Sequence, residues 1–178
     1  MPMQVICAQD GARTRSPAAA HTFLFADLCG FTEFTTRHGD ELAADLAIAF
    51  HERVRELASN EGCDVVKAIG DAVMVRSADC ARAVRLACRI LALGGCGGYP
   101  PIRIGLDSGP ATERDGDWYG TTVNTAARVA DAATPGQLLV TDRARTAMHG
   151  ADCIALAARG AHRLKGLPVL TVHAAAAA

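Results

Sequence analysis

The chain has no excess of charge of either sign: 18 lysines and arginines against 19 aspartates and glutamates leave a net charge of -1. A nucleic-acid binder or a protein adsorbed to an anionic membrane needs a basic surplus, so neither partner is expected. No apolar run approaches the length of a membrane span, and residues 1–20 lack the basic start and apolar centre of a secretory leader. A cytoplasmic protein is the expectation. The seven cysteines, at 7, 29, 63, 80, 88, 96 and 153, form neither an even set nor any C-x-x-C, which argues against a disulfide framework or a zinc site. They read as small buried thiols. Lysine is nearly missing, at 67 and 165 only, and asparagine stands only at 60 and 124. A chain so biased toward arginine keeps lysine where a compact point charge is needed.

At 178 residues and 50% hydrophobic, the chain is expected to make one domain with a sizeable core. Residues 1–20 and 174–178 read as loose tails around a folded part over 21–173. A strand at 22–27 leads through a loop at Gly30 into a helix from about Asp40 to Ser59, where Leu42, Leu46, Phe50, Val54 and Leu57 recur at helical spacing. Strands at 63–69 and 72–76 form a hairpin about Gly70-Asp71. A helix from about Asp79 to Leu93 carries Ala81, Val84, Ala87, Cys88 and Leu91 on one face and ends in a Gly-rich connection at 94–98. Ile102-Arg103-Ile104-Gly105-Leu106 is an alternating strand. The order is β-α-β-β-α-β, the split β-α-β plan, which predicts an α+β fold with a ferredoxin-like core sheet and a C-terminal extension.

In that plan the strand ending at Asp27 pairs antiparallel with the strand that follows Asp71. Two carboxylates then meet at one sheet edge, where they repel unless a cation lies between them. Unrelated turn residues would explain each aspartate separately, but a divalent-metal site explains both, and hard oxygen ligands favour magnesium or manganese over zinc. Asp27 also precedes a Gly-containing strand-loop-helix corner, the kind of place where backbone N–H groups collect phosphates.

Farther on, Asp117-Trp118-Tyr119-Gly120 reads as a turn, and the helix after it carries Asn124 and Arg128 at i and i+4 on one face. Taken together, Phe25-Ala26-Asp27 with Gly30-Phe31-Thr32, Lys67-x-Ile69-Gly70-Asp71, Asp117-x-x-Gly120-x-x-Val123-Asn124-x-Ala126-x-Arg128, and Leu164-Lys165-Gly166 are similar to the class III nucleotidyl cyclase catalytic domain. The chain most resembles the short single-domain adenylyl cyclases of the mycobacterial kind, over about 21–173. The resemblance implies that Asp27, Asp71 and the Leu28 carbonyl hold two metal ions, Mg²⁺ or Mn²⁺, and that Asn124 orients the ribose. It also implies that Arg128 stabilises the transition state, that Lys165 pairs with the terminal phosphates, and that the loop Cys29, Gly30, Phe31 and Thr32 offers backbone N–H groups to the same anion. Arg114, before Asp117, is a weaker candidate for a phosphate contact.

The base pocket follows from hydrogen-bond chemistry. Adenine presents an acceptor at N1 and a donor at its exocyclic amine, and guanine presents the reverse. Lys67 only donates and ionised Asp117 only accepts, so the pair suits ATP and opposes GTP. The resemblance places the metal aspartates on one protomer and the base and transition-state residues on the other, which implies a homodimer with composite active sites making cyclic AMP from ATP. Two alternatives stand beside this reading. A non-catalytic cyclase-like module would have lost a metal aspartate or Arg128, and a diguanylate-type cyclase would carry an acidic Gly-Gly-Asp-Glu-Phe-like hairpin where this chain has Ile69-Gly70-Asp71-Ala72-Val73.

Overall fold

The structure, a computed structural model, describes residues 20–95, 98–148 and 155–175. Fourteen elements follow in chain order: β1 Ala20–Leu28, α1 Phe31–His38, α2 Asp40–Glu61, β2 Asp64–Ile69, β3 Ala72–Ser77, α3 Cys80–Leu91, β4 Ile102–Pro110, β5 Thr112–Arg114, β6 Asp117–Tyr119, α4 Thr121–Ala132, β7 Leu138–Thr141, α5 Asp142–Ala147, β8 Leu156–His162 and β9 Leu170–Ala175. The main sheet runs β2-β3-β1-β4-β7-β9-β8, while β5 and β6 form a separate two-stranded ribbon. Its first four strands each run antiparallel to their neighbours in the expected ferredoxin-like order, and β7 adds parallel to β4 to begin the C-terminal extension.

Alternation along β1 gives the sheet two apolar faces. Leu24, Ala26 and Leu28 join Val73 and Val75 under Phe50, Val54 and Leu57 of α2 and Val84, Ala87 and Ile90 of α3. On the other face Phe23 and Met74 pack against Val123 and Ala126 of α4. A further cluster of Val129, Ala133, Leu139, Val172 and Ala174 ties the end of α4 to β7 and β9. At Gly105 a Cβ would lie 2.0 Å from the Ala130 backbone nitrogen, so α4 rests backbone to backbone on β4. Only glycine permits that approach, which fixes the height of α4 above the sheet.

The helices form where expected, but their buried stripes are shifted. Leu42 is 55% exposed, and α2 instead buries Ala43, Ala47, Phe50, Val54, Leu57 and Ala58. A residue one place away lies about 100° around a helix, so the alanines and not Leu42 face inward. In α3 the buried set is Cys80, Ala83, Val84, Leu86, Ala87 and Ile90, with Ala81, Cys88 and Leu91 half-buried on its flank. Asp79 caps this helix by accepting from the N–H groups of Ala81 and Arg82. Cys63 and Cys80 are buried as expected, but Cys29 and Cys88 are half-buried, Cys29 because it turns into the corner after β1. Cys7, Cys96 and Cys153 lie outside the described residues.

The terminal strands reach slightly beyond the expected bounds of 21–173. Ala20 opens β1, and Ala174 and Ala175 close β9, Ala174 being buried beside Leu139. The rest of both expected tails lies outside the described residues, as does the centre of the Gly-rich connection. Among the described residues no helix is long and apolar enough to cross a membrane.

Candidate active site

Register brings the two aspartates together. Asp27 pairs with Ala72, the residue after Asp71, while Gly70 takes a left-handed φ of 61° to turn β2 into β3. On the other flank of β1, Asp27 pairs with Arg103 of β4. The Arg103 guanidinium donates to one carboxylate oxygen of Asp27 from Nε at 2.7 Å and lies 2.6 Å from it at Nη2. Arg103 is thus the counter-charge of Asp27, while Asp71 makes no ion pair among the described residues. Burial first, and the Asp27 charge second, push the Asp71 carboxyl up from its usual 3.8 to about 6. Among the described residues no three His, Cys, Asp or Glu side chains form a ready metal cluster. Two carboxylates with a nearby carbonyl suit a hard ion that takes its remaining ligands from water and phosphate, as magnesium does.

The same corner opens a cavity of about 580 Å³ that reaches from Asp27, Asp71 and Arg103 past Gly30, Phe31 and Thr32 to Asp131 of α4. Gly30 has a left-handed φ of 78° and no side chain caps the start of α1, so N–H groups of its first turn are left for an anion. One expected donor is withdrawn: the Cys29 N–H donates to the Pro101 carbonyl at 2.8 Å. Cys29 lines the cavity wall beside Gly30, Phe31 and Thr32 with its N–H already engaged.

Lys67 and Asp117 meet directly. The lysine Nζ donates to a carboxylate oxygen at 2.5 Å, joining β2 to the β5–β6 ribbon, and the Trp118 N–H donates to the other oxygen at 2.8 Å. The hydrogen bond from Lys67 holds the Asp117 carboxyl below its usual range. Asn124 and Arg128 stand exposed on α4, where Arg128 pairs with Asp131 at 3.1 Å. Lys165 is exposed in the β8–β9 connection, and its neighbour Leu164 packs on the cluster of Val129, Ala133, Leu139, Val172 and Ala174. Arg114 is exposed on the ribbon, paired in register with Asp117.

Asp27, Asp71, Leu28 and the 29–32 corner share one cavity, and Lys67, Asp117, Asn124, Arg128 and Lys165 do not line it. Sequence reasoning missed Arg103 and Asp131. Arg103 had a legible signal, since an arginine alternating with isoleucines in Ile102-Arg103-Ile104 must leave the α2–α3 core for the Asp27 side of the sheet.

The raised Asp71 value predicts a pH dependence of the metal-free fold. Its folded pKa exceeds the unfolded one, so the proton is held more tightly in the fold and stability is lost as pH rises from about 4 through about 6. Relative to the parent, Asp71→Asn should gain stability as pH rises through this window and melt roughly 2–4 °C above it at pH 7.5 without metal, while His21, held below its usual range, titrates alike in both. Scanning calorimetry of both chains in chelator at pH 4.5 and 7.5 checks it. A difference between variant and parent that is the same at both pH values would contradict the raised Asp71 carboxyl.

The fold is that of the class III nucleotidyl cyclase catalytic domain, and the chain is similar in sequence to that family. Residues 15–94 match the family described as the adenylate and guanylate cyclase catalytic domain. The chain is 35% identical over 117 residues to an adenylate cyclase of Streptomyces griseus, covering 65% of this chain and 29% of that protein. It is 35% identical over 150 residues to a pH-sensitive adenylate cyclase of Mycobacterium tuberculosis, covering 82% of this chain and 38% of that protein. The chain thus spans about a third of the length of these relatives. Among solved structures, an adenylate cyclase of Trypanosoma brucei in its monomeric state superposes with a TM-score of 0.81 at 23% identity, covering 94% of each chain. The guanylate cyclase domain of RhGC from Catenaria anguillulae, solved with GTP, gives 0.79 at 23% identity, covering 91% of this chain and 98% of that one.

Proposed function

We propose that the chain converts ATP to 3',5'-cyclic AMP and pyrophosphate at sites shared between the two protomers of a homodimer. The observation that carries this reading is the meeting of Asp27 and Asp71 at one corner, facing the uncapped start of α1. Asp27, Asp71 and the Leu28 carbonyl would hold Mg²⁺ or Mn²⁺, two ions per site, whose chemistry when bound is to acidify the ribose 3'-hydroxyl and neutralise the triphosphate. Gly30, Phe31 and Thr32 turn backbone N–H groups toward the phosphates. Arg103, already within 2.7 Å of Asp27, supplies a positive charge at the same corner. Asn124 orients the ribose so that its 3'-oxygen faces the α-phosphorus. As that oxygen bonds to phosphorus, its proton passing to solvent, and the bond to pyrophosphate breaks, Arg128 balances the charge on the phosphoryl oxygens and Lys165 that on the leaving group. Lys67 donates to adenine N1 and Asp117 accepts from the exocyclic amine.

Composite sites are supported by the separation of these residues within one chain, since Arg128 and Asn124 stand exposed and do not line the Asp27–Asp71 cavity. A second copy brings them in. The test is incubation of the purified chain with ATP or GTP and Mn²⁺ or Mg²⁺, followed by chromatography. Cyclic AMP with equimolar pyrophosphate, in clear excess over cyclic GMP, is expected. Hydrolysis to the diphosphate alone, or a preference for GTP, would contradict the proposal.

A further inference from the structure

The β5–β6 ribbon that carries Asp117 is not part of the main sheet. An isolated two-stranded ribbon is marginal by itself, so the position of Asp117 depends on what anchors it. The anchor is Trp118, the single tryptophan of the chain. Its ring centroid lies 4.4 Å from that of His21 and 5.6 Å from that of Phe23, and the Arg76 guanidinium carbon stands 5.2 Å from its centroid. Arg76 is itself aimed from two sides. Its Nη1 donates to Asp64 at 2.9 Å, and Nε and Nη2 donate to His21 Nδ1 at 3.2 and 2.8 Å. Arginine has no acceptor, so this arrangement requires a neutral His21 with its proton on Nε2. Burial and the Arg76 charge both hold the imidazole below its usual range, in agreement.

We propose that Arg76 and His21 are positioning residues for base selection: by clamping the Trp118 indole they fix the ribbon, and with it Asp117, against Lys67. The proposal rests on reading Lys67 and Asp117 as the base contacts. β1, β2 and β3 contribute His21, Asp64 and Arg76 to hold one side chain of the ribbon, and the backbone of that residue orients the Asp117 carboxylate. A donor-acceptor pair rejects the wrong base only while it cannot move away from it. Loosening the indole lets Asp117 swing from guanine O6, which weakens the penalty against GTP as well as the contact to adenine.

Trp118 emission reports the clamp and nucleotide kinetics report its consequence. In Arg76→Leu the emission should shift to the red and quench more readily with acrylamide. The ratio of kcat/KM for ATP over GTP should fall about tenfold, mostly through a higher KM for ATP, with kcat at saturating ATP within about threefold. His21→Ala should behave alike, whereas His21→Asn, which restores an acceptor to Arg76, should keep the ratio within about threefold of the parent. The two His21 variants decide the matter if Arg76→Leu does not fold. A red shift with an unchanged ratio, or equal loss of kcat with both nucleotides, would overturn the positioning role. A parent chain that forms no cyclic product from either nucleotide would instead overturn the reading of the site itself, and this proposal with it.

Discussion

Asp27→Ala or Asp71→Ala is expected to lower cyclic AMP formation by about three orders of magnitude or more, because each removes half of the carboxylate set available to the cations. The two variants should differ in stability although they agree in activity. Asp27→Ala leaves the partly buried Arg103 without its ion pair, so its melting midpoint should fall. Asp71→Ala removes the carboxylate that burial and Asp27 disfavour, so its metal-free midpoint at neutral pH should hold or rise. Addition of Mn²⁺ should raise the midpoint of the parent and of neither variant. Initial rates with ATP and Mn²⁺, together with melting in chelator and in metal, check both halves. Near-normal turnover in either variant would sink the metal assignment.

The second large effect is expected at Lys67. Lys67→Glu replaces a donor by an acceptor against adenine N1 and places a like charge beside Asp117, where the lysine nitrogen now lies at 2.5 Å. ATP turnover should fall by roughly a hundredfold or more, the scale of one reversed and desolvated polar contact. The single change should not create a good guanylyl cyclase, because Asp117 still opposes guanine O6 with an acceptor. Lys67→Glu combined with Asp117→Cys or Asp117→Gly removes both conflicts and should give measurable GTP turnover. Steady-state kinetics with both nucleotides decide it. Unchanged ATP preference in Lys67→Glu would show that the lysine does not read the base.

How far the sequence announced this arrangement depends on range. The meeting of Asp27 and Asp71 was legible because the β-α-β-β-α-β order leaves one antiparallel pairing for the strands that carry them, and register then fixes Asp27 opposite Ala72. The contact of Lys67 with Asp117 was expected only as part of a shared base site. Its structural basis, a ribbon of two three-residue strands, was hidden because strands that short carry no periodicity. Leu42 misled because large apolar residues outweigh alanines in a periodic pattern, whereas α2 buries Ala43 and Ala47 against its neighbours. The Cys29 N–H was counted as a phosphate donor because strand pairing beyond Leu28 is not visible in the loop sequence, yet Pro101 takes it. Arg103 escaped notice because its role depends on the β1–β4 register, a long-range fact.

A site shared between protomers, as proposed, is tested most directly by mixing two variants that are each expected to be inactive alone. Asp27→Ala chains lack the metal half-site and Arg128→Ala chains lack the transition-state half-site. A heterodimer of the two concentrates both defects in one composite site and leaves the other intact. With equal amounts and free exchange, half of the dimers are mixed and each has one working site, so about a quarter of parental cyclic AMP formation should return. No recovery, with subunit exchange demonstrated by a labelled chain, would contradict a site shared between protomers.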